Sequence, residues 1–311
     1  MVPKVAPLGS QTLSSSIVVM ATSFNPVLHN PVERARSPLV IAHRGASGLT
    51  PENTLAAFKL AIALGANGVE FDVQLTADER PVVIHDRRLN RTTNGAGPVS
   101  ALTLDQLRTL DAGSWFARRL RMRPRIRAMR EKTALVSNDL TILSGQRVPA
   151  LETVLETLSK ASLPRVYIEL KTDDRRKALL DTVISLVRSF GMERSVTLLS
   201  FDHEIIALAK VQAPEIRTAV TFPTNKRRLV SAKSIVREID RVCADEAALH
   251  VSLATRRTVE AVHQRGLSVS VWTANRKLVM RRLIACGVDS IMTNFPDRLI
   301  HIIDSPRDRL R

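Results

Sequence analysis

The feature that most constrains this chain is an alternation. From residue 39 onward, short apolar runs that read as buried strands take turns with amphipathic stretches of helical spacing. Leu39–His43 and Val69–Val73 are the first two strands, and between them Leu55, Phe58, Ala61 and Ile62 fall on one helical face. Further strands are expected at Val166–Leu170, Val196–Phe201, Thr218–Phe222, Ala248–Leu253, Leu267–Trp272 and Ser290–Thr293. Helical stretches at 175–189, 203–211, 226–239, 255–264 and 276–285 separate most of them, and Gly191, Gly266 and Gly287 sit where helices should end. The run Pro81–His85 follows the second strand after only Thr76–Arg80. A parallel crossover needs roughly a dozen residues, so this run must return as an antiparallel hairpin partner. That leaves Leu151–Leu158 as the crossover helix. Eight strands then alternate with helices, which is the arithmetic of an α/β protein of the (β/α)8 TIM barrel type over residues 39–311. A doubly wound sheet is the alternative, because a strand count does not show closure.

The chain has 311 residues, enough for such a barrel to bury its own core without disulfides or a structural metal. Its two cysteines, Cys243 and Cys286, match no metal-ligand spacing and are expected to be buried reduced thiols. No apolar run of about 18 residues exists, so no transmembrane helix is expected. Residues 1–38 hold a single acidic residue and scattered Ser, Thr, Asn and Pro, and read as a poorly ordered N-terminal extension. Ile17–Ala21 is too short for the apolar core of a signal peptide, and a cytoplasmic location is expected.

One segment breaks the regular pattern. Between Asp86 and Leu151 no clean strand–helix unit is visible, so the barrel carries an insertion after its second strand, at about residues 87–147. Arg118–Lys132 within it carries a net charge of +7, close to half of the +16 of the whole chain. Such a stretch is a solvated loop or a surface for peripheral contact with an anionic membrane. It lacks aromatic residues for base stacking, which disfavours nucleic acid.

The polar residues at the strand ends carry the functional reading, because a barrel of this kind places its site at the C-terminal ends of its strands. The first strand ends in His43-Arg44. The second carries Glu70 and Asp72, two residues apart and therefore on one face. The hairpin partner ends in His85-Asp86, the next barrel strand in Glu169-Leu170-Lys171, and the seventh in Trp272. Charged residues in apolar strands are rarely buried unless paired or bound to metal. Glu70, Asp72 and Glu169 form an oxygen-ligand set suited to one hard divalent cation, Ca²⁺ or Mg²⁺. His43 and His85 can act as general base and general acid, and Arg44 and Lys171 can hold a phosphate. Together these parts describe metal-assisted cleavage of a phosphate ester.

His43-Arg44-Gly45, Pro51-Glu52-Asn53-Thr54, Glu70-x-Asp72, Thr76-x-Asp78, His85-Asp86, Glu169-x-Lys171, Trp272-Thr273 and Thr293-Asn294-x-Pro296-Asp297 resemble the glycerophosphodiester phosphodiesterase family over roughly residues 39–300. The resemblance implies a phospholipase C-like barrel. It also implies metal-dependent hydrolysis of small glycerophosphodiesters to glycerol 3-phosphate and an alcohol, in lipid and glycerol metabolism. By the same resemblance, Glu70, Asp72 and Glu169 are the metal ligands, His43 and His85 the acid/base pair, and Arg44 and Lys171 the phosphate-binding residues. Glu52 would lie near the metal or orient its ligands, and Phe201 and Trp272 would wall the pocket. The attacking oxygen would be the substrate's own glycerol hydroxyl, giving a cyclic phosphate that water opens. Two features depart from the family pattern. Leu199-Ser200-Phe201 stands where Gln-Ser-Phe is common, and the insertion is longer and more basic. The alternatives are a phosphodiesterase acting on intact or lyso-phospholipids at an anionic membrane surface and a non-catalytic phosphate-binding barrel.

Overall fold

In the computed structural model, which describes residues 37–122, 143, 145–224 and 230–305, the alternation folds into a closed cylinder. The barrel strands are β1 (Leu39–His43), β2 (Gly68–Leu75), β4 (Arg165–Leu170), β5 (Val196–Ser200), β6 (Arg217–Phe222), β7 (Glu246–His250), β8 (Ser268–Trp272) and β9 (Ser290–Thr293). All are parallel, and β1 pairs with both β2 (Ile41 beside Gly68, His43 beside Glu70) and β9 (Leu39 beside Ser290). That double pairing closes the sheet and decides for the barrel over the doubly wound alternative.

The short strand β3 (Pro81–Val83) runs antiparallel to β2, with Val83 opposite Val73. It is the hairpin partner that the short connection required. The turn is tied by Thr76: its amide donates to the Arg80 carbonyl at 3.0 Å, and its hydroxyl accepts from the Arg80 amide at 2.9 Å.

Helices α1 (Leu55–Ala63), α4 (Leu151–Ser159), α5 (Arg176–Ser189), α6 (His203–Gln212), α7 (Ala232–Val242), α8 (Arg256–His263), α9 (Lys277–Cys286) and α10 (Pro296–Asp304) surround the cylinder. Their starts follow from local chemistry. The side chains of Thr54, Asp202, Ser231 and Thr255 accept backbone N–H bonds at the first turns of α1, α6, α7 and α8. Such caps contribute about 1 kcal/mol each. Helix α5 buries Leu179, Leu180, Val183, Ile184 and Val187, a stripe at helical spacing against the barrel. The expected glycines end their helices, and Gly287 adopts φ +75°, a left-handed cap that favours glycine.

Several expectations need correction. Strand β7, expected at Ala248–Leu253, begins at Glu246 and ends at His250. Helix α7 starts at Ala232 rather than 226, and residues 225–229 lie outside the described residues. The cysteines are not core residues. Cys243 is exposed as the left-handed cap of α7, and Cys286 is half-buried at the last position of α9. Both sit where a helix ends at the surface, a position no apolar pattern predicts.

Part of the insertion is folded. Two helices, α2 (Leu104–Arg108) and α3 (Ser114–Met122), follow 3₁₀ turns at Leu89–Arg91 and Val99–Ala101. Helix α2 starts with a reciprocal cap between Thr103 and Gln106. The segment has its own apolar cluster, in which Leu89, Val99, Leu104 and Leu107 pack with Val82, Ile84 and Val148. Of the basic stretch Arg118–Lys132, only Arg118–Met122 is described, on α3. The proposed extension at residues 1–38 lies outside the described residues up to 36.

The barrel interior is filled by inward-facing side chains in layers, including Ile41, Tyr167, Leu199, Ala219, Ala248 and Met292. Below them, Glu246 is buried and accepts a hydrogen bond from the Tyr167 hydroxyl at 2.8 Å. Burial holds the Glu246 carboxyl above its ordinary range. Tyr167→Phe removes this donor from a buried acid and is expected to cost about 1–3 kcal/mol of unfolding free energy. Urea denaturation checks it, and an unchanged midpoint and slope would show that the bond contributes nothing.

Candidate active site

The mouth of the barrel, at the C-terminal strand ends, collects every residue singled out in the sequence. Register explains how. His43 pairs beside Glu70, and Asp72 beside Glu169, so the first histidine and the three carboxylates are neighbours across three adjacent strands. Glu70, Asp72 and Glu169 are 1%, 0% and 8% exposed, so their charges have almost no help from water. One carboxylate oxygen from each lies within 4.8 Å of the others.

Three acids this close repel one another, and their ionisation splits accordingly. Burial, then the neighbouring Asp72 and Glu169, push Glu70 well above the ordinary carboxylate range. Burial and Asp72 raise Glu169 to about 7. Asp72 goes the other way: burial opposes its charge, but Arg44 and Lys171 outweigh burial and hold it below the usual range. The Arg44 Nε lies 3.2 Å from Asp72 Oδ2, and Lys171 Nζ lies 3.1 Å from Asp72 Oδ1. Lys171 also bonds Glu169.

Three buried carboxylates, two of them pushed above the ordinary range by burial and by their acidic neighbours, make an oxygen set that fits a hard divalent cation.

The two histidines are held by their rear nitrogens. His43 Nδ1 donates to Asn294 Oδ1 at 2.8 Å, and His85 Nδ1 donates to Asp86 Oδ1 at 2.6 Å. Each bond leaves the ring's Nε2 clear of that partner, and that of His43 lies 3.8 Å from Glu70. Burial, then Arg44, lowers the His43 pKa to about 3, so this ring is neutral. Burial, with Arg44 and Lys171, also lowers His85. Both rings line one cavity of about 50 Å³ together with Glu70, Glu169, Phe201 and Trp272.

Two aromatic residues line this cavity. Phe201 and Trp272 meet edge to face with ring centroids 5.5 Å apart, and the indole N–H donates to the Ala248 carbonyl. Phe201 lies just beyond β5 rather than within it, and 42% of its surface is exposed. Leu199, where the family often has a polar residue, is buried among Ile41 and Met292 and lines the same cavity. Glu52 stands at the rim rather than among the acids. It accepts from Arg44 NH1 at 2.8 Å and from both terminal nitrogens of Arg91 at 2.7 and 2.8 Å.

Supporting residues escaped the sequence reading. Asn53, at φ +57°, donates from Nδ2 to Asp72 Oδ2 at 2.8 Å. The Gln74 amide reaches the carbonyls of Ile84, His85 and Asp86 and fixes the loop that carries the second histidine. Arg91 joins two rim acids: besides Glu52, it holds Asp86 through Nε at 2.7 Å. An unbroken chain Arg44–Glu52–Arg91–Asp86–His85 thus crosses the mouth. Asn53, Asp86 and Asn294 lie inside recognisable motifs, so adjacency was a usable signal for them. Arg91 had none. Gly45, beside Arg44, adopts φ +75°, and a Cβ there would lie 2.6 Å from Ala57, so only glycine allows this turn.

Comparison with known proteins agrees with this geometry. Residues 43–298 match the model of the "Glycerophosphoryl diester phosphodiesterase family". The chain is 34% identical over 266 residues to a glycerophosphodiester phosphodiesterase of Caldanaerobacter subterraneus, covering 85% of this chain and 97% of that one. The solved glycerophosphodiester phosphodiesterase of Agrobacterium tumefaciens superposes with a TM-score of 0.67 at 33% identity, over 84% of this chain and 98% of the other. An Oleispira antarctica phosphodiesterase, solved with the product sn-glycerol-3-phosphate, gives a TM-score of 0.71 at 26% identity, over 88% and 99%. With its barrel, its acidic triad and its two histidines in one cleft, the chain belongs to the glycerophosphoryl diester phosphodiesterase family.

Proposed function

We propose that the protein hydrolyses glycerophosphodiesters to glycerol 3-phosphate and an alcohol, with a divalent cation held by Glu70, Asp72 and Glu169. The observation that carries this reading is the small cavity that two histidines, two of the acids and two cationic side chains share. A bound Ca²⁺ or Mg²⁺ would draw charge from the phosphoryl oxygens.

The chain's own residues do the rest. Arg44 and Lys171 keep positive charge at the cleft where negative charge grows on the phosphate. His43, deep in the cleft and neutral, takes the proton from the attacking glycerol hydroxyl on Nε2. His85 lines both the cleft and the larger cavity beside it. It enters the reaction as the imidazolium, the form its bond to Asp86 favours, and gives its Nε2 proton to the departing oxygen. The O–P bond to the glycerol hydroxyl forms as the P–O bond to the alcohol breaks. In the second step His85 takes a proton from water, and His43 returns one to the glycerol oxygen as the cyclic phosphate opens. Asn294 and Asp86 hold the two rings in orientation throughout. Phe201 and Trp272 shield the reacting group from water.

The divided roles of the histidines have a direct test. His85→Ala is expected to slow cleavage of glycerophosphocholine by about 10²–10⁴-fold. The loss should shrink to a small factor on a nitrophenyl diester, whose leaving oxygen needs no proton. His43→Ala should lose activity on both. Equal losses for His85→Ala on the two substrates would reverse or remove its assignment as the acid.

Removal of metal gives a second test. Dialysis against a chelator should abolish hydrolysis, and either Ca²⁺ or Mg²⁺ should restore it, as measured by glycerol 3-phosphate release. Full activity after exhaustive chelation would refute the assignment of the three acids as cation ligands.

A further inference from the structure

Beside the catalytic cleft lies a second cavity of about 550 Å³ that shares His85, Glu169, Lys171 and Phe201 with it. The cleft, at about 50 Å³, has less than a tenth of that volume. A glycerophosphodiester with its phosphate in the cleft has the large cavity next to it, across the wall formed by His85, Glu169, Lys171 and Phe201. We propose that this cavity receives the alcohol arm of the diester, and that Arg87 and Arg88 make it select an arm that itself carries an anionic group. The inference rests on the hydrolytic reading above and adds the class of substrate.

The pairing of charges around the cavity carries the argument. Each acid in the wall already has its cation. Asp86 is held by Arg91 at 2.7 Å, Asp202 by Arg176 at 3.0 Å, and Glu169 by Lys171. Among the described residues the two arginines have no such partner. There, Arg87 donates only to the backbone carbonyl of Thr172, at 2.8 Å. Arg88 has no side-chain hydrogen bond or ion pair among the described residues. The uncompensated charge of the wall is thus positive.

These side chains project from a fixed piece of backbone. The Val99 amide donates to the Arg87 carbonyl at 2.9 Å, and Arg88 forms an antiparallel bridge with Pro98. Leu89, next in sequence, is buried in the apolar cluster of the insertion. A guanidinium offers five N–H donors in a plane that suits phosphate or carboxylate oxygens. Two of them, with few of their donors engaged among the described residues, at the wall of a cavity that adjoins the catalytic cleft form a receptor for a second anion. A quaternary ammonium arm would instead meet two like charges. The insertion that supplies Arg87 and Arg88 thereby acts as a specificity element, separate from the basic stretch further along it.

The test compares kcat/KM of the full chain, with divalent cation present, on glycerophosphoinositol 4-phosphate, glycerophosphoinositol and glycerophosphocholine. The phosphorylated arm is expected to exceed its unphosphorylated parent by about tenfold or more, with the choline diester last. In the double variant R87Q/R88Q that ratio should fall to near one, whereas R87K/R88K should keep most of it. Both arginines are exposed, and unchanged thermal unfolding of each variant checks that it folds. A wild-type ratio near one, with all three diesters cleaved, overturns the subsite and leaves the hydrolytic reading standing. A ratio that survives in R87Q/R88Q overturns the role of the arginines. Hydrolysis of none of the three removes the hydrolytic reading and this inference with it.

Discussion

The burial of three carboxylates within one coordination distance is the constraint on which the mouth of this barrel depends. Like charges out of water are unstable together, and each must be neutralised, protonated or shared with a cation. The chain meets this in two ways at once. Arg44 and Lys171 lie against Asp72 and keep it ionised, while Glu70 and Glu169 rise toward the neutral form. Such a cluster suits a hard divalent ion, whose charge would offset the repulsion among the acids. The same two cations line the cleft, so in the proposed reaction one set of charges would serve both the acids and the substrate.

Around this centre lies a ring of residues that do no chemistry but set angles. Asn53 aims Asp72, Asn294 and Asp86 fix the histidine rings, and Gln74 pins the loop of the second histidine. Arg91 links two rim acids across the opening. Apart from His85 with its neighbour Asp86, these contacts join segments that the fold brings together from different strands or from the insertion. A rigid cylinder with chemistry on its loops tolerates such specialisation, because the core beneath does not change when a loop does.

Much of this was legible in the amino-acid pattern. Strand and helix alternate with different periods, and a five-residue connection cannot cross a sheet, so the hairpin and the crossover helix α4 could be placed by length alone. Glu70 and Asp72 share a face because strands repeat every two residues. Where local pattern is silent, the reading failed. The apolar cluster of the insertion, built from residues such as Leu89, Val99 and Leu107, has no strict period, since its turns and short helices pack on one another irregularly. Strand β7 begins with a glutamate, which reads as a loop until Tyr167 is found to hold it from the opposite wall. Cys243 and Cys286 look like core residues by type, yet helix ends put them at the surface.

The order of strands and helices, and the chemical types of the groups at the strand ends, are local properties written in spacing, and so the chain alone carried them. Closure, the side-by-side register of Asp72 with Glu169, the ionisation of each acid and the Arg44–Glu52–Arg91–Asp86–His85 chain depend on which distant segments meet. So does the placing of Arg87 and Arg88, which have no acidic partner among the described residues, beside the cleft. Only the closed barrel decides these, because burial and Coulomb interaction act through space, over a few ångströms that can separate residues up to about 250 positions apart in sequence, as His43 and Asn294 are.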